Sequence, residues 1–197
     1  MDNMVFVCTA NRCRSVIAEQ LFKRSLETTA LGIWKNKLQI CSAGILTEDY
    51  WEFLVHFGGE NNFKLDRSSF FGVTPYHRTI RCLAKIGVDV SGYCSQRFDE
   101  KLAQVAKMVV TMEEVQKTAL LGAFPKLDGR IYTFREFVGD TGSVLYEDTL
   151  FRPRFDPLDA HGISFPEFYV EENYRELKHG LKTGQQQILS MLAKKLS

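Results

Sequence analysis

The stretch Val5-Phe6-Val7-Cys8-Thr9-Ala10-Asn11-Arg12-Cys13-Arg14-Ser15 restricts the possible folds of this chain more than any other. Met4 to Val7 is continuous, apolar and partly β-branched, the pattern of a short buried strand. A polar loop follows from Cys8. An amphipathic pattern then starts, with Val16, Ile17, Ala18, Leu21, Phe22 and Leu26. Ser15 stands where a helix cap belongs, and the spacing predicts a helix from there to about Thr28. A buried strand that passes through a tight loop straight into a helix opens a strand–helix–strand unit, and such units build parallel sheets.

The rest of the chain continues the alternation. Leu38 to Cys41 reads as a second strand, closed by Ser42-Ala43-Gly44. Pro75 opens a helix with Ile80, Leu83 and Ala84 on one face and Gly87 as its stop. Asp99 to Lys107 reads as helix, Met108 to Thr111 as strand, Glu113 to Leu121 as helix, and Arg130 to Phe134 as a fourth strand. Phe134 to Phe155 is loop-rich. From about Pro166 the chain is mostly helical, with Leu177, Leu181, Ile188, Leu192 and Leu196 on a face that Gly180 and Gly184 weaken. The expectation is a parallel sheet with helices on both faces, in a single domain of 197 residues. Cys8 then falls at the carboxyl end of the first strand, where such sheets bind ligands.

Residues 46–72 break the pattern. They carry Tyr50, Trp51, Phe53, Phe57, Phe63, Phe70 and Phe71 among Gly58-Gly59 and Asn61-Asn62. Trp51 to Phe57 fits a short helix, and the remainder has no clean period. The segment reads as an insertion. Its aromatics either pack on the domain or form a substrate wall or a dimer face.

Composition removes several function classes. A net charge of +1 gives no global field toward nucleic acid or an acidic membrane, so any anion binding must be local. No apolar run approaches the roughly 20 residues of a membrane span, and no signal peptide is visible. Cys8, Cys13, Cys41, Cys82 and Cys94 are an odd set in a chain too large to need a disulfide framework, so they read as reduced thiols of a cytoplasmic protein. Neither they nor His56, His77, His161 and His179 have the spacing of a structural zinc site.

The loop itself carries the chemistry. A helix N-terminus offers backbone N–H groups with no intrahelical partner, which is an anion site and favours a thiolate beside it. Arg14 adds a planar fork for two oxygens of a tetrahedral anion. Ser15 can donate a hydrogen bond to the Cys8 thiolate. Asn11 tolerates left-handed backbone angles and can curl the loop. Residues Thr9 to Ser15 would thus cradle a phosphoryl group and present its phosphorus to Cys8. The plainer alternative is a strand-end cysteine followed by a solvated arginine. A thiolate also needs a general acid for its leaving group, which can then act as base toward water. Asp156-Pro157 offers one, because proline holds the preceding residue extended. Asp159, Asp148 and Asp140 are rivals from the same region.

With these residues in view, the chain resembles the low-molecular-weight protein tyrosine phosphatases. The shared features are the Val5-Phe6-Val7 strand, Cys-x5-Arg-Ser from Cys8 to Ser15, Ala18-Glu19 in the helix, and Asp156-Pro157. Ser42-Ala43-Gly44, the Pro75 helix ending at Gly87-Val88-Asp89-Val90-Ser91, and Val109-Val110-Thr111-Met112-Glu113 also match. The resemblance implies a three-layer α/β/α fold with a four-stranded parallel sheet, a cysteinyl-phosphate intermediate, Asp156 as the acid, and no metal or other cofactor. The implied substrate is a phosphorylated protein, above all phosphotyrosine, or a small phosphomonoester. In the family a cysteine at the place of Cys13 can form a reversible disulfide that shields the nucleophile, a reasonable course for an accessible thiolate.

The chain departs from the pattern at several positions. Ala10 stands for the usual glycine, Arg12 for a small or apolar residue, and Val16 for a common proline. Tyr93 replaces a frequent histidine that supports the loop through its asparagine. No tyrosine follows Asp156-Pro157, which leaves Trp51, Tyr50 or Phe155 as candidates for the aromatic wall. Arg12, Arg152 and Arg154 could cluster at the mouth and favour acidic substrates, or be solvated or ion-paired. The competing readings are an arsenate reductase of the same fold, using Cys82 or Cys94, a phosphoarginine phosphatase, whose bacterial examples have threonine at the place of Arg12, and a non-catalytic phosphate-binding relative.

Overall fold

In the computed structural model, which describes residues 1–60, 65–140, 154–155 and 162–196, the first strand is β1 (Asp2–Cys8). Met4, Val5, Phe6 and Val7 are fully buried, because β1 is an inner strand covered on both faces. It pairs in parallel with β2 (Leu38–Gly44) and with β3 (Ala106–Thr111), and β3 pairs in parallel with β4 (Ile131–Thr133). The order β2-β1-β3-β4 is the four-stranded parallel sheet that the resemblance implied.

Successive β1 side chains leave on opposite faces. Met4, Phe6 and Cys8 join the larger core, with Val16, Ile17 and Phe22 of α1 (Arg14–Thr28) and Leu177 and Leu181 of α7 (Glu167–Thr183). Val5 and Val7 join the smaller core, with Leu120 of α5 (Glu114–Ala123) and Ile131 of β4. Phe6, Phe22 and Phe137 meet edge to face, with centroids 5.6, 5.7 and 6.3 Å apart, the geometry ring quadrupoles favour. Each such ring contributes on the order of 3 kcal/mol by burial.

Several boundaries differ from the sequence reading, each for a physical reason. The second strand runs on to Gly44, because Ser42, Ala43 and Gly44 pair with Phe6, Val7 and Cys8. The helix after the aromatic segment, α3 (His77–Ala84), starts two residues after Pro75 and ends at Ala84, and the turn that follows it closes on Gly87, whose φ of +76° suits glycine. The following helix, α4 (Glu100–Val105), is shorter than expected: Ala106 and Lys107 are drawn into β3, where Ala106 pairs with Asn3.

Phe134 begins a helix, α6 (Phe134–Val138), where a loop was expected. The signal was a capping box: Thr133 Oγ1 accepts from the Glu136 N–H at 3.2 Å, and the Glu136 carboxylate accepts from the Thr133 N–H at 2.7 Å. The C-terminal helical stretch is two helices, α7 and α8 (Gln185–Leu196). A Cβ at Gly184 would lie 2.3 Å from Val138 O, and one at Gly180 would lie 2.8 Å from the Phe134 ring. These glycines let the α7–α8 junction lie flat on α6.

The aromatic segment forms α2 (Glu48–Glu60), longer than the helix expected at Trp51 to Phe57. Tyr50, Leu54 and Phe70 are buried in the larger core, and Trp51, Phe70 and Phe71 form an edge-to-face series at 6.2 and 5.5 Å. Phe63 lies outside the described residues. Late in the chain, β5 (Arg154–Phe155) pairs antiparallel with β6 (Ile163–Ser164). Asp148, Asp156, Pro157 and Asp159 lie outside the described residues. Among the described residues no helix is long and apolar enough to cross a membrane.

Candidate functional site

Every residue from Cys8 to Ser15 is buried, with exposures between 0 and 5%. The chain reverses between the end of β1 and the start of α1 through Asn11, at φ +54° the one non-glycine residue with positive φ among the described residues. Gly44 makes room for that turn. A Cβ there would sit 2.8 Å from Thr9 O, 3.0 Å from the Ala10 carbonyl carbon and 2.6 Å from Phe71 Cε1. Phe71 is therefore the aromatic that lies against the strand end beside the loop, and sequence reasoning did not single it out.

The hydrogen bonds fix their own direction. Asn11 Oδ1 accepts from the Gln96 N–H at 2.9 Å, which assigns the amide, so Asn11 Nδ2 donates to Ser15 Oγ at 3.0 Å and to Ser42 Oγ at 2.9 Å. Ser15 Oγ accepts from Asn11 and lies 3.1 Å from Cys8 Sγ, within hydrogen-bond reach of the sulfur. Ser42 directs its hydrogen to Glu19 Oε2 at 2.6 Å, so Tyr93 donates in the 2.7 Å contact with Ser42 Oγ. Glu19, 3% exposed, is held by Lys23 at 2.6 Å. The buried carboxylate thus orients Ser42, and through Ser42 and Asn11 the network reaches Ser15 beside the Cys8 sulfur.

Tyr93 takes the support role expected of a histidine: its hydroxyl also lies 3.2 Å from Asn11 Oδ1. Burial, then the nearby Glu19 charge, pushes its phenol well above the ordinary range, so it stays protonated at any working pH. Replacing Tyr93 by His should add an ionisation between about pH 6 and 8 to the kcat profile, absent from the wild type. Tyr93→Phe should lower kcat by about tenfold, the value of one buried hydrogen bond, without a new ionisation. Profiles with one aryl phosphate substrate check both.

Arg14 is fully buried and ion-paired with Glu113, the residue before α5. Gln116, one turn into α5, accepts from the Met112 and Glu113 N–H groups at 3.1 Å each and donates to Thr9 Oγ1 at 3.1 Å. Sequence reading missed both residues. Glu-x-x-Gln directly after a strand is a capping-box spacing and could have pointed to them.

Arg12 does not stand at an open mouth. It is 1% exposed, its Nε donates to Thr74 O at 2.9 Å, and its guanidinium lies 4.1 Å from the Tyr76 ring centroid. Tyr76 packs on Phe165, and Phe165 stacks on Tyr169 at 4.6 Å, so Arg12 ties the loop to the segment that follows β6. Arg152 lies outside the described residues, and Arg154 is placed only as a residue of β5. Tyr50 is buried and Trp51 packs on Phe70.

Cys13 is 5% exposed on the same loop as Cys8. Cys41 is no rival nucleophile, since burial and the Glu19 charge push its thiol up to about 11. Burial pushes the Cys82 thiol up as well.

Comparison with known proteins agrees with this arrangement. The model of the family described as low molecular weight phosphotyrosine protein phosphatase matches residues 3–51. A protein-arginine-phosphatase of Bacillus subtilis (strain 168) is 26% identical over 73% of this chain and 77% of its own length. The low molecular weight protein-tyrosine-phosphatase Ptp of Acinetobacter johnsonii is 23% identical over 70% and 75%. In fold, the YwlE arginine phosphatase from Geobacillus stearothermophilus superposes with a TM-score of 0.64 at 16% identity, covering 98% of this chain and 97% of that one. The matched residues run from β1 through the whole loop and α1 to the end of β2 and into α2, and the remaining chain completes the same fold, so this chain is similar to the low molecular weight phosphotyrosine protein phosphatase family in its loop-bearing N-terminal quarter and shares the fold over its length.

Proposed function

We propose that the protein hydrolyses phosphomonoesters through a cysteinyl-phosphate intermediate, with protein phosphotyrosine as the substrate class. The observation that carries this reading is the Cys8 sulfur at the end of an inner strand, 3.1 Å from Ser15 Oγ and facing the N-terminus of a helix that begins with the buried Arg14. A helix start in front of the sulfur offers the N–H groups and partial positive charge that hold a phosphoryl anion against a nucleophile.

In the first step the Cys8 thiolate attacks phosphorus. The bond to the leaving oxygen breaks, and Asp156 supplies that oxygen with a proton. The loop N–H groups from Thr9 to Ser15 and the Arg14 fork hold the three equatorial oxygens. In the second step the Asp156 carboxylate takes a proton from water. The water oxygen attacks phosphorus, the P–S bond breaks, inorganic phosphate leaves, and the Cys8 thiolate and the protonated Asp156 are restored. Cys13, on the same loop, is the candidate redox partner that would shield Cys8.

The Bacillus subtilis relative and the Geobacillus stearothermophilus structure, both named for arginine phosphatase activity, make phosphoarginine the second reading. The loop already buries two guanidinium groups, Arg12 and Arg14. A phosphoarginine substrate brings a third cationic group toward them, whereas a phenyl phosphate brings none, and like charges at short range oppose binding. Arsenate reduction is the third reading: of its two spare thiols, Cys82 is buried with a raised thiol, which counts against it, and Cys94 is exposed.

The test is hydrolysis of phosphotyrosine and phosphoarginine peptides of one sequence, with wild type and Asp156→Ala. The phosphotyrosine peptide should be preferred at least about tenfold in kcat/KM, a difference of about 1.4 kcal/mol. Asp156→Ala should lose about 10²–10⁴-fold with a poor phenol leaving group and far less with a nitrophenol. Preference for phosphoarginine would replace the substrate assignment, and an equal loss with both leaving groups would remove Asp156 from the acid role.

A further inference from the structure

The nucleophile is bracketed by the turn between β3 and α5. The Met112 N–H donates to Val7 O at 2.9 Å, just before Cys8. It is shared with Gln116 Oε1, which also accepts from the Glu113 N–H. Two N–H donors on Oε1 leave the amide nitrogen of Gln116 to face Thr9 Oγ1, just after Cys8. Gln116 and Thr9 are buried, at 0 and 3% exposure, so water does not compete for these bonds. Glu113, whose backbone Gln116 grips, carries the carboxylate that pairs with Arg14.

We infer that Gln116 is a positioning residue of the phosphate loop: it holds Thr9 directly and orients the carboxylate that steers Arg14. The inference rests on the reading of the loop as a phosphate site. A buried amide whose oxygen and nitrogen both hold partners is costly to leave unmatched, and those partners would lose their places with it. The relay through Asn11, Ser42 and Glu19 supports the loop from the β2 side. Gln116 supports it from the β3 side, so the two grips straddle Cys8 and act on different loop residues.

The probe is inorganic phosphate, read by its protection of Cys8 against iodoacetamide, which does not depend on turnover. Gln116→Leu should weaken phosphate binding by about tenfold, as expected for one buried hydrogen bond and the movement it releases. Thr9→Val should weaken it about threefold, a smaller share of the same loss. Thr9→Ser, which keeps the hydroxyl, should restore wild-type affinity. The Thr9→Val/Gln116→Leu pair should bind as Gln116→Leu does, because both changes break one interaction. Thr9→Val and Thr9→Ser carry the test if Gln116→Leu does not fold. Unaltered phosphate binding in Thr9→Val or in Gln116→Leu, or additive losses in the pair, overturns the inference. Absence of phosphate protection in the wild type overturns the reading of the loop itself, and this inference with it.

Discussion

Cys8→Ser should lower kcat on any phosphomonoester by about 10⁴–10⁶-fold, the scale of loss when a covalent nucleophile is removed. The replacement is small and the site is well supported, so the loss should not come from unfolding. Cys8 is 3% exposed at the end of a fully paired inner strand, and serine removes little packing volume. What changes is the nucleophile. A serine hydroxyl is intrinsically a far weaker nucleophile than a cysteine sulfur, so the attack step loses its driving group. Phosphate should still bind, and bind more tightly, because the loop no longer holds a thiolate that repels it. The combined result, dead turnover with retained phosphate binding and an unchanged Tm, is measurable by steady-state kinetics, calorimetry and thermal unfolding. Turnover within 100-fold of wild type in Cys8→Ser would falsify the covalent mechanism.

The parts of this molecule that local rules govern are the parts the sequence disclosed. Met4 to Val7 is apolar because an inner strand is covered on both faces, so β1 was legible without its partners. The loop was legible because its task demands particular residues: a thiol at a strand end, an asparagine that accepts positive φ, and an arginine at the helix start. Contacts between distant segments were not legible. Arg12 looked like a solvent-facing cation on its own segment, and only the Tyr76 ring and Thr74 carbonyl, more than sixty residues on, turn it inward. Gly180 and Gly184 looked like weak points in a helix, and their value depends on how closely α6 approaches. The end of α4 likewise followed from pairing with β1, which propensity does not contain. Tyr93 shows the reverse case. Its identity departs from the family pattern, yet its phenol donates to Ser42 Oγ and lies 3.2 Å from the same asparagine, so a hydroxyl occupies the place of an imidazole in the network.

Arg14→Lys should lower kcat/KM by about 10²–10³-fold, with a larger share in kcat than in KM. Lysine keeps the positive charge, so the argument turns on shape. Arg14 already gives one arm, Nη1, to Glu113. A guanidinium can keep that contact and still present parallel N–H donors to two oxygens of a phosphoryl group. An ammonium is a point donor on a flexible stem. Held by Glu113 it cannot also span two equatorial oxygens, and turned to the phosphoryl group it leaves a nearly buried carboxylate without its closest cation. The equatorial oxygens carry most charge as phosphorus passes between sulfur and oxygen, so the second hydrogen bond counts most in the transition state and the loss falls mainly on kcat. Glu113→Gln separates the two duties. It keeps a neutral acceptor for Arg14 and removes the charge, and should cost about tenfold in kcat/KM while leaving KM for an aryl phosphate nearly unchanged. A lysine variant that retains kcat within tenfold of wild type would show that charge alone, and not the fork, is what the loop requires of residue 14.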